Sequence, residues 1–205
     1  MPRDKTDTYH KIIPSAKREF LRNGYEKTSL QSIAVGAGIT AAGLYRHFPD
    51  KQSIFAHMVS PLLKEFDEMY QGAIADTYAH LNVEELKGIW NDFSDKVVNF
   101  IEFVYEYFDE FKLLLCCSEG TPFQNFQHDM VLLEVRETRA LLNEMLVRGI
   151  PVGDIHEEEL HMVTSAYLAA IFEVVIHDYP KEKALGYVKF VVSFFYPGWS
   201  NILGF

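Results

Sequence analysis

Cysteine is scarce in this chain: only Cys116 and Cys117 occur in 205 residues, side by side in "KLLLCCSEG". Neighbours on one helical turn point to different faces, so the pair reads as packing cysteines and not as an intrachain disulfide staple. Long apolar runs are missing too. The charge-free stretch "FVVSFFYPGWSNILGF" at 190–205 is shorter than the ~20 residues that cross a bilayer, and Pro197 and Gly198 interrupt it, so no transmembrane helix is expected. The first residues, "MPRDKTDTYHK", lack the apolar stretch of a secretory signal, and a cytoplasmic location is the expectation.

Sustained alternation of polar and apolar residues is absent, which removes the usual signature of strands. Gly36 and Gly38 have no strand before them, so they do not form a dinucleotide or phosphate loop, and no nucleophile elbow is present. In "HEEELH" at 156–161 the second histidine comes one place too late for two ligands on one helix face, and the segment reads as a solvated acidic helix start. No enzyme, cofactor or metal is expected.

What the chain does have is apolar mass and an uneven charge. Hydrophobic residues make up 48%, enough for a substantial core. Residues 1–60 hold nine Lys or Arg against five Asp or Glu, whereas the remainder holds ten against twenty-four. Only the front is electrostatically suited to a polyanion. This favours two parts with different partners: residues 1–50 and residues 51–205.

The periodicity predicts an all-α fold. A first helix in "YHKIIPSAKREFLRNGY" buries Ile12, Ile13, Ala16, Phe20 and Leu21, with Pro14 early in it and Gly24 as its stop. Thr28 and Gln31 have the spacing of a capping box for a second helix, Gly38 turns the chain, and Thr40 caps a very short third helix carrying Leu44, Tyr45 and Phe48. Asp50 can cap a long fourth helix beginning at Lys51 and covering 52–79, and further helices are expected at 84–106, 108–118, 123–148, 155–177 and 181–197.

A helix, a short glycine-containing turn and a second short helix form the helix-turn-helix, whose second helix enters the major groove. Small residues at Ala41, Ala42 and Gly43 let that backbone approach base edges, while Leu44 and Phe48 hold the helix down. The stretch "TSLQSIAVGAGITAAGLYRHFPDKQSIF", with its spacing from Phe20 and Gly24 to Leu44-Tyr45-x-His47-Phe48, resembles the DNA-binding segment of the TetR family of bacterial regulators over residues 10–57. The resemblance implies an amino-terminal three-helix DNA-binding domain followed by a larger helical ligand-binding and dimerisation domain. It implies phosphate contacts by Thr40, Tyr45 and Lys51, base-facing Ala41, Ala42 and Gly43, and a helix start at Thr28 and Ser29 that also holds phosphate. Gln31 and Arg46 are added to this set, and His47 either touches DNA or orients the turn. Alanines offer only apolar contacts to bases, so backbone contacts and DNA shape carry part of the specificity.

Downstream, Trp90, Phe93, Asn99, Phe103, Tyr107, Cys116, Phe126, Gln127 and Tyr167 form the pool from which a ligand cavity would be lined. The apolar surface of the last two helices must be covered by something. The resemblance makes that cover the same helices of a second subunit, through Ala166, Ala169, Ala170, Tyr187, Val188, Val191 and Phe195; a membrane-surface anchor is the rival, weakened by the lack of adjacent basic residues. The expected partners are a double-stranded DNA operator, an unidentified small-molecule effector and a second copy of the chain. A homodimeric repressor released from a palindromic operator by the effector is the leading function, with the fourth helix as lever. An activator, an architectural DNA binder without ligand, and a helical ligand-binding protein or enzyme with a non-DNA-binding front domain are the alternatives.

Overall fold

In the computed structural model, which describes residues 5–79 and 93–204, the helical periods become nine helices, and no strand occurs among the described residues. They are α1 Lys5–Lys27, α2 Leu30–Gly36, α3 Ala41–Tyr45, α4 Lys51–Ala79, α5 Phe93–Glu106, α6 Phe108–Cys116, α7 Phe126–Val147, α8 Glu157–Ile176 and α9 Lys181–Leu203. The expected all-α fold is thus observed. Pro14 lies well inside α1 and not early in it, because the helix begins at Lys5. Gly24, at φ 74, interrupts α1 where a stop was expected. Pro197 does not end α9, which continues until Gly204, at φ 82, donates its amide to the Ser200 carbonyl.

Two compact units emerge. The first contains the chain up to Asp67 together with Tyr107–Asn125, and so reaches past residue 50 into α4 and takes in α6. The reason is packing: Ile54, Phe55, Met58, Val59 and Leu62 of α4 are buried, as are Phe111, Leu113 and Leu114 of α6. Phe55 meets Phe20 edge-on at 5.4 Å between centroids, Tyr25 at 5.6 Å and Phe123 at 6.1 Å. Lys17 of α1 reaches Glu110 at 2.6 Å and Asp109 at 3.3 Å across to α6. Burial works to lower the Lys17 pKa, but the two carboxylates outweigh it and the net shift is upward.

The second unit comprises Glu68–Glu106 and Phe126–Phe205. Here α7 packs on α8, and α9 packs on α5 and α8. By length and composition α8 could cross a membrane, with a mean hydropathy of 1.5 over its most apolar 18 residues. Its Leu160, Leu168, Ile171, Phe172, Val174 and Val175 are nevertheless buried inside the protein. Its start is acidic, and Glu159 accepts the His156 amide at 3.0 Å in a capping box. The Leu142, Met145, Ile150 and Leu203 cluster joins α7 to the end of α9, and the Gly153 amide donates to the Ile202 carbonyl at 2.9 Å.

One carboxyl interrupts the apolar side of α7. Glu134 accepts a hydrogen bond from the Tyr70 hydroxyl; burial, with Glu137 adding to it, pushes its pKa up to about 7. Burial also drives the Tyr70 and Tyr167 hydroxyls upward, with Glu134 reinforcing both.

Two tests follow from this packing. A Cβ on Gly36 would stand 2.4 Å from Ser15 Oγ, which is buried and donates to the Ile33 carbonyl at 2.9 Å. Gly36→Ala should therefore cost about 1–2 kcal/mol, because Ser15 must give up that bond. On a Ser15→Ala background the same change should be neutral or stabilising by up to about 1 kcal/mol, since alanine is the better helix former. Urea unfolding of the four proteins measures the coupling. For Glu134, the folded protein keeps a proton that the unfolded chain releases near pH 4.5. Its contribution to stability therefore falls as pH rises from 4.5 through about 7. Glu134→Gln should flatten the stability profile across that window by an amount on the order of 2 kcal/mol, read from denaturant midpoints at successive pH values.

Candidate nucleic-acid interface

Five residues are too few to hold a helix alone, so α3 depends on its cap and its anchors. Thr40 has extended backbone angles, and its Oγ1 accepts the Gly43 amide at 3.1 Å. Gly43 leaves room for that contact, because a Cβ there would come within 3.3 Å of the same oxygen. Leu44 is fully buried and Phe48 nearly so, which pins the inner side of the helix to the unit. Ahead of it, Gly38 turns the chain at φ 67, and the Ile39 amide closes the end of α2 on the Ala34 carbonyl at 3.0 Å.

The outer side is open. Thr40, Ala42, Tyr45 and Arg46 are exposed, while Ala41, Gly43 and His47 are half-buried. Tyr45 shows 56% of its surface although it is a large aromatic. Val35, at the end of α2, is 69% exposed; the sequence reading did not single it out. Gln31 is also exposed.

The cap of α2 falls one residue later than expected. Ser29 accepts the Ser32 amide at 3.0 Å, and the Ser32 hydroxyl in turn accepts the Ser29 amide. The Thr28 and Gln31 capping box is not formed because Thr28 is buried and its hydroxyl lies 3.1 Å from the Glu19 carbonyl and 2.8 Å from that of Gly24. Thr28 therefore fastens the bend between α1 and α2, and its amide, expected among those that hold a phosphate, donates to the Tyr25 carbonyl at 3.2 Å.

Lys51 differs from expectation for a similar reason. Its ammonium donates to the carbonyls of Tyr25 at 2.6 Å, Thr28 at 2.8 Å and Glu26 at 3.2 Å, and lies 4.1 Å from the centre of the Tyr25 ring. All three ammonium protons have carbonyl acceptors, so the expected phosphate contact of this side chain has no free donor. Burial lowers its pKa, partly offset by Glu26. Asp50 precedes α4 and caps it, its carboxylate accepting the Ser53 amide at 2.6 Å.

The residues expected to line a ligand cavity fall in both compact units. Trp90 and the side chain of Phe93 lie outside the described residues. Tyr107 and Cys116 belong to the first unit, Cys116 at the exposed end of α6. In the second unit Phe126 packs on Phe172, Gln127 is half-buried, and Tyr167 meets Phe195 and Trp199. Asn99 and Phe103 line an open cleft of about 470 Å³ with Glu102, Tyr105, Glu106 and Lys181. Among the residues expected at a subunit interface, Val188 and Val191 are buried within the chain. Ala166 is exposed, and Ala169, Ala170, Tyr187 and Phe195 are partly so. The outward apolar positions are instead Phe190 at 65%, Phe194 at 70% and Met162 at 69% exposure.

A stability comparison separates the two roles at the front of the chain. Lys51→Met should lower the unfolding free energy by about 1–3 kcal/mol, since it leaves partly buried carbonyls without a donor. Tyr45→Ala, at an exposed position, should change it by less than about 0.5 kcal/mol; urea melts read both.

A family model of bacterial regulatory proteins, tetR family, matches residues 12–58. The HTH-type transcriptional regulator EthR of Mycolicibacterium smegmatis is 29% identical over 63 residues, which are 31% of this chain and 29% of EthR. The chain thus aligns with less than a third of the length of that curated relative. Among solved structures, a TerR/AcrR-family transcriptional regulator from Aquifex aeolicus superposes with a TM-score of 0.57 at 15% identity, covering 91% of this chain and 98% of its own. NalD of Pseudomonas aeruginosa, the secondary repressor of the MexAB-OprM multidrug efflux pump, gives 0.56 at 16% identity and covers 98% of both chains. At such identities the whole-chain likeness is one of fold, whereas the match over 12–58 falls on the helices just described. Residues 12–58 are thus similar to the amino-terminal domain of bacterial regulatory proteins of the tetR family.

Proposed function

We propose that this chain is a DNA-binding transcriptional regulator: a homodimer that holds a palindromic operator with its two α3 helices and leaves it when a small molecule binds the second unit. The observation that carries this reading is the outer side of α3, where small residues at 41–43 sit beside exposed Tyr45 and Arg46, on a helix capped by Thr40 and anchored by Leu44. A regulator of this kind places two such helices in successive major grooves, about 34–36 Å apart or a whole-turn multiple of that. Thr40, Tyr45 and Arg46 supply phosphate contacts, Ala41, Ala42 and Gly43 face the bases, and Ser29, Gln31 and His47 border them. The role of Lys51 is to hold α1, α2 and α4 in register.

The dimer reading is supported by Phe190 and Phe194, one helical turn apart on α9, and by Met162 on α8. Exposed aromatic surface of this kind is a self-association face in a symmetric dimer. An effector that favours one spacing of the two α3 helices over the other needs about 1–3 kcal/mol of coupling. Helix α4, which contributes residues to both compact units, is assigned that coupling.

Selection of random-sequence duplexes on the full-length protein, followed by sequencing, should enrich a palindrome. Tyr45→Ala should weaken binding to it by about tenfold or more and reduce the salt slope. A folded dimer that enriches nothing would overturn the reading. Phe190→Asp with Phe194→Asp should yield a folded monomer in sedimentation velocity, and with it lose the palindrome while retaining weak half-site attraction.

A further inference from the structure

Three rings from three parts of the amino-terminal unit meet beside the exit of α3. Tyr9 lies in the second turn of α1, Phe48 follows α3, and His57 lies in the second turn of α4. The Tyr9 and Phe48 rings stack with their centroids 6.1 Å apart and 23° between their planes. His57 meets Phe48 at 5.7 Å and Tyr9 at 5.6 Å, the latter edge-on, so the three centroids form a nearly equilateral triangle. The Tyr9 hydroxyl and His57 Nε2 are also hydrogen-bonded to each other. His10 backs the group, standing edge-on to Tyr9 at 5.7 Å. Aromatic pairs at these separations and tilts attract each other beyond the area they bury.

Phe48 passes this arrangement on to α3. Its amide donates to the Leu44 carbonyl at 3.1 Å, and the His47 amide donates to the same oxygen at 2.9 Å, so the Phe48 backbone and the last turn of α3 form one hydrogen-bonded piece. Leu44 is the buried side chain of α3 itself. A five-residue helix with one buried side chain can pivot about it; a second fixed point four residues later sets its direction. Direction matters here, because groups that recognise a ligand must be held within about 10–20° of their productive orientation.

We propose that Tyr9 and His57 are positioning residues for DNA recognition: joined to each other and to Phe48, they set the direction of α3 and hence the fit of its outer side to a base sequence. The inference rests on the DNA-binding reading of α3 and extends it to two side chains outside that helix. Attraction to any duplex follows charge near the phosphates, whereas base readout also needs the helix correctly aimed. Loss of the Tyr9 and His57 contact therefore lowers the preference for the operator more than the affinity for DNA at large.

The test uses the full-length protein, the palindromic duplex enriched by selection and an unrelated duplex of equal length, all at one salt concentration. Tyr9→Phe keeps the ring and removes the hydroxyl, His57→Leu removes the ring and its nitrogens, and His57→Gln keeps a hydrogen-bonding end. Tyr9→Phe should weaken operator binding by about two- to tenfold, the effect of one hydrogen bond, and binding to the unrelated duplex by less than about twofold. His57→Leu should lose at least as much, and His57→Gln should recover part of that loss. Tyr9→Phe added to His57→Leu should cost little further affinity, since the bond they share is already gone. Circular dichroism and urea unfolding confirm that each variant is folded, and Tyr9→Phe, which leaves no cavity, stands alone as a test should His57→Leu unfold. A merely structural role would lower stability and leave the ratio of operator to unrelated affinity unchanged, which overturns the assignment. So does a Tyr9→Phe effect that persists in full on the His57→Leu background. If the wild type prefers no duplex, the DNA-binding reading fails and this inference with it. If the wild type prefers the operator and every variant keeps that preference, the reading stands and the positioning role alone fails.

Discussion

A single ammonium group organises the amino-terminal unit. Lys51 gathers the carbonyls of Tyr25, Glu26 and Thr28 onto the first residue of α4, so the end of α1, the approach to α2 and the start of α4 meet at one point. Carbonyls left over at a helix end need a donor, and here the donor arrives from another helix and brings it into place. The exposed outer side of α3 can exist only because this join, with Thr28 on the Glu19 and Gly24 carbonyls, fixes the frame to which Leu44 and Phe48 attach. The aromatic set of Phe20, Tyr25, Phe55 and Phe123 lies beneath it and closes the apolar side of the same frame.

The second unit follows the opposite arrangement. Some of its polar groups fix helix ends, as Glu159 does at His156, but among the described residues the buried Thr164 Oγ1 and Ser200 Oγ have no hydrogen-bond partner. Such groups lower stability where they stand, and a protein that keeps them is using them for recognition or specificity.

The ends of α1 and α9 were not legible in the sequence, since α1 runs through Gly24 and α9 past Pro197, whereas the short helix α3 and its cap were, because period and hydroxyl caps act locally. Thr40 is such a case, capping α3 as its position before Ala41 implied. Which of two adjacent hydroxyls caps α2 was not legible: Thr28 and Ser29 are equally capable, and only the fold decides that Thr28 is buried. The same limit governs Lys51, whose side chain is long enough to reach either phosphate or the carbonyls. Between Tyr187 and Tyr196 of α9 most positions are apolar, so hydrophobicity could not say that Val188 and Val191 turn inward while Phe190 and Phe194 turn outward. Glu134 left a signal that was passed over, an acid at the next i+4 step of the stripe begun by Phe126 and Met130.

The adjacent thiols have a practical consequence. Cys116 is exposed at the end of α6, whereas Cys117 is buried and its pKa is raised by that burial and by its neighbour. Thiolate reactivity follows access and acidity, so a maleimide dye added at neutral pH attaches to Cys116 and spares Cys117. The native chain therefore carries a ready labelling position within the amino-terminal unit, and fluorescence anisotropy of the unaltered sequence can follow its encounter with DNA without an engineered cysteine.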